Sequence, residues 1–273
     1  MAKAVAALTP HEGPSLPYLS GQASLRRRGL PFVAVPTTAG SSSEVTPFAA
    51  LWDLEGKQRW GLAHPFLYPT VALVDPTLTY SMPPSLAAAT GMDAFTSAFE
   101  AYWSRQASPA SDALVLAAVR LYAAYLERSC TRADPEARTA CSLASVLSGM
   151  GYSNARTTLC HAFSQPLTLH FGATHGVAVG ITLPALLLWN APTLGPRLSP
   201  LLAALGVGGV EEGAARLVEL LHRCGQPTRL RELGVGQGDL ARIAQEGVRA
   251  PQAANNPRPM SPSEARALLA SIW

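Results

Sequence analysis

The sequence predicts an α/β segment followed by an all-helical region, and two patterns support this fold class. Residues 1–79 contain short apolar or β-rich runs such as PFVAVP and TVALVDP, separated by turn residues, as is typical of strands. From Pro83 onward, apolar residues recur at spacings of three and four, and no strand-like alternation of comparable strength returns. We therefore expect two domains, residues 1–79 and residues 80–273.

The helical pattern is strongest in five stretches that Pro, Gly, Ser and Asp punctuate. These stretches are PPSLAAAT, SDALVLAAVRLYAAYL, EARTACSLASVLSGMGYSNA, EGAARLVELLHRC and SEARALLASIW. Asp93 falls in a predicted helix that starts near Pro84, whereas His161 and His175 lie in or beside two later helices. A site that uses these three residues must therefore be assembled by tertiary packing.

Composition excludes several classes of protein. The chain has 273 residues, of which 48% are hydrophobic, so it can bury a substantial core. The net charge is only +3 and no dense basic run occurs beyond Arg26 to Arg28, so nucleic-acid binding is not indicated. No signal peptide or membrane-spanning run is present, and we expect a cytoplasmic protein. The four cysteines form no CxxC pair, which argues against a zinc knuckle or a disulfide framework.

A candidate metal site comes from one carboxylate and two imidazoles. His161 and His175 stand fourteen positions apart in TTLCHAFSQPLTLHFGATHG, downstream of Asp93 in ATGMDAFTSAFEAYWS. Mixed nitrogen and oxygen ligands suit a divalent first-row metal such as iron, zinc, nickel or cobalt. Such a metal can polarise a carbonyl oxygen. The alternative is that each histidine is an ordinary hydrogen-bonded residue.

Three longer motifs carry a resemblance to a known family. PTTAGSSSEVT at 36–46, MPPSLAAATGMDA at 82–94 and the segment 161–176 occur in this order. Together they resemble the iron-containing (group III) alcohol dehydrogenase family, and the resemblance extends over essentially the whole chain. It implies a dehydroquinate synthase-like architecture, in which a remnant of a dinucleotide-binding domain precedes an all-α metal-binding domain. It also implies hydride transfer between NAD(P)H and an alcohol or aldehyde.

The resemblance assigns roles to particular residues. It implies a divalent metal, with Fe²⁺ first and Zn²⁺, Ni²⁺ or Co²⁺ as alternatives, on Asp93, His161 and His175. The loop at 36–46 would line the cofactor cleft through three of its hydroxyl residues. These residues are Thr37, Thr38 and Ser42.

The chain departs from the family pattern at three places. Ser97 stands where the family usually has a second ligand histidine, and Gln165 stands where it tends to place a histidine near the substrate. Gln165 is therefore a candidate catalytic position, although a glutamine cannot act as an acid. The start, AKAVAAL, resembles the end of the family segment GGGSxxDxAKAVA, so the glycine-rich turn that holds the cofactor pyrophosphate is not in this sequence. A misassigned start, a fragment and a degenerate copy remain open explanations.

Local strings indicate a subgroup. TPFAALWD at 46–53, EAYWS at 100–104 and ARTTLCHAFSQPLT at 155–168 are similar to phosphonoacetaldehyde reductases. The specific expectation is reduction of phosphonoacetaldehyde to 2-hydroxyethylphosphonate, with Arg156 as a candidate contact for the phosphonate oxygens. An exposed helix arginine is the alternative for Arg156. Another alcohol dehydrogenase, a maleylacetate reductase and a truncated, non-catalytic metal-binding or oligomerising domain also stay open, and family relatives suggest a homo-oligomer.

Overall fold

The first 79 residues form a small α/β layer with little regular structure. The computed structural model describes all residues 1–273. Two short helices, α1 (Ala2–Leu8) and α2 (Leu16–Leu19), precede four strands. The strands are β1 (Val33–Ala34), β2 (Phe48–Asp53), β3 (Gln58–Ala63) and β4 (Val71–Ala72). The two runs predicted as strands from the sequence are confirmed as β1 and β4, and the structure pairs them in parallel.

The second sheet is an antiparallel hairpin that the sequence did not indicate. β2 and β3 pair with Phe48 opposite Ala63 and Trp52 opposite Arg59. Directly opposed residues share a face, and alternate residues along a strand return to it. Phe48, Trp52 and Arg59 therefore project from the same face of the hairpin. This face lines the cavity described below.

The regular secondary structure after residue 83 is all helical, as the apolar spacing predicts. Ten α-helices follow: α3 (Pro84–Trp103), α4 (Pro109–Thr131), α5 (Pro135–Ala155), α6 (Leu159–Phe171), α7 (His175–Gly180), α8 (Leu183–Leu194), α9 (Leu198–Leu205), α10 (Val210–Arg223), α11 (Leu240–Arg249) and α12 (Pro262–Ser271). Proline occupies the first helical position of α3, α4 and α5, where its missing N–H costs nothing. The expected order of an α/β segment before an all-α region is confirmed, and the exact boundary at residue 79 stays a prediction.

Helix α3 lies at the centre of the helical region. It packs against α4, α5 and α7, and most of its side chains are buried. This burial explains why its sequence, PSLAAATGMDAFTSAFEAYW, is apolar on nearly all sides instead of carrying one apolar stripe. A carboxylate in such a helix needs partners, and α3 carries two carboxylates, Asp93 and Glu100.

The junction before α3 is tied to the helical core by a buried arginine. Arg138 of α5 is 1% exposed and donates to the carbonyl oxygens of Thr79 at 2.8 Å and Met82 at 3.0 Å. Its Nε donates to the Ser129 carbonyl oxygen at 2.7 Å. These bonds fix where α3 begins, and hence where Asp93 lies. None of the helices has the length and apolar character that crossing a bilayer requires.

Candidate metal centre and active-site cavity

Three helices bring the predicted metal ligands together. Asp93 lies in the middle of α3, His161 in the first turn of α6, and His175 is the first residue of α7. His161 Nε2 is 3.4 Å from Asp93 Oδ1, and His175 Nε2 is 3.9 Å from the same oxygen. The ligand atoms of all three side chains lie within 4.8 Å of one another.

This arrangement fits a divalent metal. Two imidazole nitrogens and one carboxylate oxygen form a ligand set that suits zinc or iron. The three ligand atoms come from three different helices and lie within 4.8 Å of one another. Three protein ligands are also the number that catalytic zinc sites commonly use, which leaves a coordination position for water or substrate.

The other ring nitrogen of His161 is held by a carboxylate that the sequence reasoning missed. His161 Nδ1 is hydrogen-bonded to Glu100 Oε2. Glu100 lies seven residues after Asp93 in α3, and two helical turns bring the two residues to the same face. This spacing of seven is the signal in the sequence that could have found Glu100.

Glu100 is fully buried and also holds the start of α6. Its Oε1 accepts from the Thr158 amide at 3.1 Å and from the Thr158 hydroxyl at 2.9 Å. The Cys160 amide donates to the same oxygen at 2.7 Å and the His161 amide at 3.3 Å. Amide groups in the first turn of a helix have no partner within the helix, and Glu100 supplies one from α3.

His175 is positioned by a close approach of two backbones. A Cβ on Gly176 would lie 1.9 Å from the Ala89 carbonyl oxygen, so only glycine lets α7 come this close to α3. On the other side, the indole ring of Trp52 lies 5.6 Å from the His175 imidazole, centroid to centroid. The hairpin therefore forms a wall beside this ligand.

The two histidines differ in charge. Burial lowers the pKa of His175 to about 4, against the attraction of Asp93, so its imidazole is neutral at pH 7. Burial also acts to lower the pKa of His161, but the Glu100 and Asp93 carboxylates outweigh it and raise that pKa to about 9. A ligand imidazole must be neutral, so a metal ion has to displace a proton from His161 in order to bind.

A large cavity opens beside the three ligands. Its volume is about 650 Å³, enough for a small substrate together with part of a cofactor. Its lining includes the hairpin side chains Phe48, Trp52 and Arg59, the loop residues Ser41 and Ser43, the polar residues Gln106, Gln252 and Asn255, and Arg156, together with Asp93, His161 and His175.

Two arginines line this cavity without a carboxylate within 4.0 Å of either guanidinium. Arg156 lies over the Phe48 ring at 4.5 Å, and Arg59 lies 5.7 Å from the Trp52 ring centroid. Burial lowers the pKa of Arg59, because removing its charge from water is unfavourable when no carboxylate pairs with it. Arg156 ends α5 with φ 67° and ψ 165°, a conformation nearly restricted to glycine. Arg59 was not predicted as a site residue, because the sequence did not predict the hairpin that carries it.

The predicted cofactor loop borders the same cavity, with its three named residues in different surroundings. Ser42 is 1% exposed, and its hydroxyl donates to the Ser145 carbonyl oxygen of α5 at 2.7 Å. Thr38 lines a small separate pocket, and Thr37 is exposed. Two loop neighbours that were not singled out, Ser41 and Ser43, face the large cavity.

The two positions that depart from the family pattern lie close to the site. Ser97 is buried one turn after Asp93. Gln165 lies one turn after His161 in α6 and donates to the Gln252 side-chain oxygen at 2.9 Å. Gln252 lines the cavity, so Gln165 is linked to the cavity wall by this hydrogen bond.

Two family profiles together match nearly the whole chain. The profile described as Fe-containing alcohol dehydrogenase family, C-terminal, matches residues 87–273. The profile described as Iron-containing alcohol dehydrogenase matches residues 1–76.

Individual relatives agree with this match. Long-chain-alcohol dehydrogenase 1 of Geobacillus thermodenitrificans is 35% identical over 98% of this chain and 70% of its own length. Lactaldehyde reductase of Escherichia coli is 32% identical over 93% of this chain and 69% of its own length. The crystal structure of sulfoacetaldehyde reductase from Bifidobacterium kashiwanohense in complex with NAD⁺ superimposes with a TM-score of 0.93 at 31% identity, covering 99% of this chain and 72% of that one.

Proposed function

Because the chain belongs to the iron-containing alcohol dehydrogenase family, we propose that it reduces a small aldehyde that carries an oxyanionic group, with phosphonoacetaldehyde as the first candidate. The family consists of oxidoreductases that act on alcohols or aldehydes with NAD(P) and iron. The product of the proposed reaction is the primary alcohol 2-hydroxyethylphosphonate.

The residues divide into three groups by role. Asp93, His161 and His175 would hold the metal, and the loop at 36–46 would contact the cofactor. When bound, the metal would polarise the aldehyde oxygen, and NAD(P)H would supply the hydride that no side chain can carry. The hairpin and Arg156 at the end of α5 also line the cavity, and the rest of the substrate would lie against them.

The observation that carries the substrate class is the pair of arginines in the cavity wall. A guanidinium without a carboxylate partner in a partly buried cavity is costly, and a phosphonate or sulfonate oxygen would provide the missing partner. Both arginines lie over aromatic rings of one hairpin face, which orients their planar donor groups. The sulfoacetaldehyde reductase among the similar structures is named for an aldehyde that bears such an anion.

The proton that completes the alcohol comes from water in this proposal. Gln165 has no acidic proton, and its amide is engaged by Gln252. The Tyr152 hydroxyl donates to the Ser41 carbonyl oxygen at 2.6 Å, and burial raises the pKa of this hydroxyl, which makes it a poor acid. The cavity is large enough for water to reach the substrate oxygen.

Oxidation of NADH and NADPH tests the proposal directly. The protein would be supplied with Fe²⁺, Zn²⁺, Ni²⁺ or Co²⁺, and phosphonoacetaldehyde, sulfoacetaldehyde and neutral propanal would be compared. We expect kcat/KM for an anionic aldehyde to exceed that for propanal by at least about tenfold, since one charge-assisted hydrogen bond contributes about 1.5–3 kcal/mol. A preference for propanal would remove the anionic substrate class, and no turnover of any aldehyde would favour the non-catalytic alternative.

A further inference from the structure

Both carboxylates of one face of α3 contact the same imidazole. His161 Nε2 faces Asp93 at 3.4 Å, while its Nδ1 is hydrogen-bonded to Glu100. Asp93 and Glu100 are seven residues apart, which corresponds to about 10.5 Å along a helix axis. The ring of His161 therefore spans the gap between a ligand carboxylate and a second, fully buried carboxylate.

We propose that Glu100 is a positioning residue that keeps the hydrogen of His161 on Nδ1 when a metal displaces the proton on Nε2, so that the Nε2 lone pair points at the metal position beside Asp93. The proposal rests on the metal-binding part of the proposed function. It does not depend on the substrate or on turnover. Carboxylates that orient ligand imidazoles in this way typically contribute a factor of about 10–100 to metal affinity.

The two oxygens of Glu100 are not equivalent, and this asymmetry fixes the direction of the contact. Oε1 accepts four hydrogen bonds from Thr158, Cys160 and His161. Thr158 is itself held, because Trp103 Nε1 donates to its hydroxyl oxygen at 2.9 Å. Oε2 is thereby left to face His161 Nδ1. A carboxylate oxygen accepts and does not donate, so Nδ1 must carry the hydrogen.

The Glu100→Gln variant keeps the shape of the side chain but replaces the acceptor that faces His161 Nδ1 with a donor. The four donors require an acceptor, so the amide oxygen must take the place of Oε1, and the NH₂ group must then face His161. An NH₂ group donates, so Nδ1 has to accept and the ring hydrogen moves to Nε2, the atom that should bind the metal. The contacts that hold the start of α6 are retained.

The experiment measures Zn²⁺ affinity by calorimetry together with thermal unfolding of the metal-free protein. Because Glu100 also raises the pKa of His161, the Zn²⁺ affinity is measured at several pH values and corrected for the proton that His161 loses. We expect Glu100→Gln to weaken this corrected affinity by about 10–100-fold, with the helical circular dichroism signal retained. Glu246→Gln is the matched control, since Glu246 also contacts a histidine, His170 Nε2 at 2.9 Å, but lies outside the site. We expect this control to bind Zn²⁺ like the wild type. A folded Glu100→Gln variant with wild-type affinity would overturn the proposal.

A second measurement uses the wild-type protein, so it tests the proposal even if the Glu100→Gln variant does not fold. Nitrogen-15 NMR of the wild-type histidines, loaded with Zn²⁺, should show His161 coordinated through Nε2 with a hydrogen on Nδ1. Coordination through Nδ1 would overturn the proposal without any variant. If no aldehyde is reduced but Zn²⁺ binding still responds to Glu100→Gln, the proposed substrate fails while the positioning role stands.

Discussion

The imidazole rings of His161 and His175 lie 5.4 Å apart, centroid to centroid, with an interplanar angle of 71°. The two rings come from different helices, and Nε2 of each lies within 4 Å of one oxygen of Asp93. This edge-to-face geometry directs two nitrogens at one point. It is the arrangement expected of ligands that share a cation.

Loss of either histidine should abolish tight metal binding. We expect His161→Ala and His175→Ala each to reduce Zn²⁺ affinity by more than the factor of about 10–100 associated with a supporting residue, because a three-ligand site would keep only two ligands. Metal content after dialysis against a weak chelator provides the measurement. His222→Ala removes an exposed histidine outside the site and serves as the control. Wild-type metal content in both ligand variants would refute the assignment.

A methyl group at Gly176 should displace the neighbouring metal ligand His175 without contacting its side chain. The added Cβ would meet backbone atoms of Ala89, which cannot rotate away, so α7 must shift relative to α3. We expect Gly176→Ala to lower the free energy of unfolding by about 1–3 kcal/mol and to weaken Zn²⁺ binding through His175.

Gly238→Ala is the control for this substitution. A Cβ at Gly238 would meet no atom within 4 Å, and its φ is not positive. Calorimetry and urea unfolding of both variants would show whether close backbone approach sets the ligand position. Equal Zn²⁺ affinity in Gly176→Ala and the wild type would show that it does not.

The helices could be predicted because their signal is local. Apolar residues at three and four spacing mark α4, α5 and α10 in the sequence alone. The hairpin formed by β2 and β3 has no comparable signal. One of its faces lines a cavity, so Phe48 and Trp52 stand where polar residues would mark a solvent-facing strand, and the alternation is lost.

The residues of the site also differ in whether the sequence alone identifies them. Asp93, His161 and His175 stand in long sequence motifs, and the structure brings them together. Glu100 and Arg59 acquire their places only through tertiary packing. Glu100 meets α6 because the first turn of α6 packs against α3, and Arg59 faces the cavity because it pairs with Trp52. The spacing of seven places Glu100 on the same face of α3 as Asp93 but does not show that it meets His161, and no periodicity along one segment indicates the place of Arg59.

Arg156 should be a position where glycine is more stabilising than alanine. Its φ of 67° with ψ 165° is strained for any residue with a Cβ, at a cost of about 1–3 kcal/mol. Arg156→Gly and Arg156→Ala both lose the guanidinium and its contact with Phe48. We therefore expect the glycine variant to exceed the alanine variant in free energy of unfolding by about 1–3 kcal/mol, as measured in urea.

Arg132 provides the matched comparison, because it also ends a helix, α4, but has an ordinary φ of −118°. At Arg132 the order should be the usual one, with alanine more stabilising than glycine by a few tenths to about 1 kcal/mol. The same order at both positions would mean that the Arg156 backbone is not strained. A reversed order at Arg156 alone would show that the chain maintains an unfavourable backbone conformation at this position of the cavity wall.

Arg59 should discriminate between anionic and neutral aldehydes. Its guanidinium projects from the hairpin face beside Trp52 and has no carboxylate partner. Arg59→Gln keeps a hydrogen-bond donor but removes the charge. We expect KM for phosphonoacetaldehyde to rise by about 10–100-fold, from the loss of about 1.5–3 kcal/mol of charge-assisted hydrogen bonding. KM for propanal should change by less than about twofold, since no charge is recognised there.

The control for Arg59 is Arg120→Gln, which removes an exposed charge from α4 away from the cavity. Steady-state kinetics with both aldehydes on both variants separates a local contact from a general effect of net charge. If the two variants raise KM for phosphonoacetaldehyde equally, the effect is long-range and falls with added salt. If only Arg59→Gln does so, and propanal is unaffected, the hairpin arginine contacts the anionic end of the substrate.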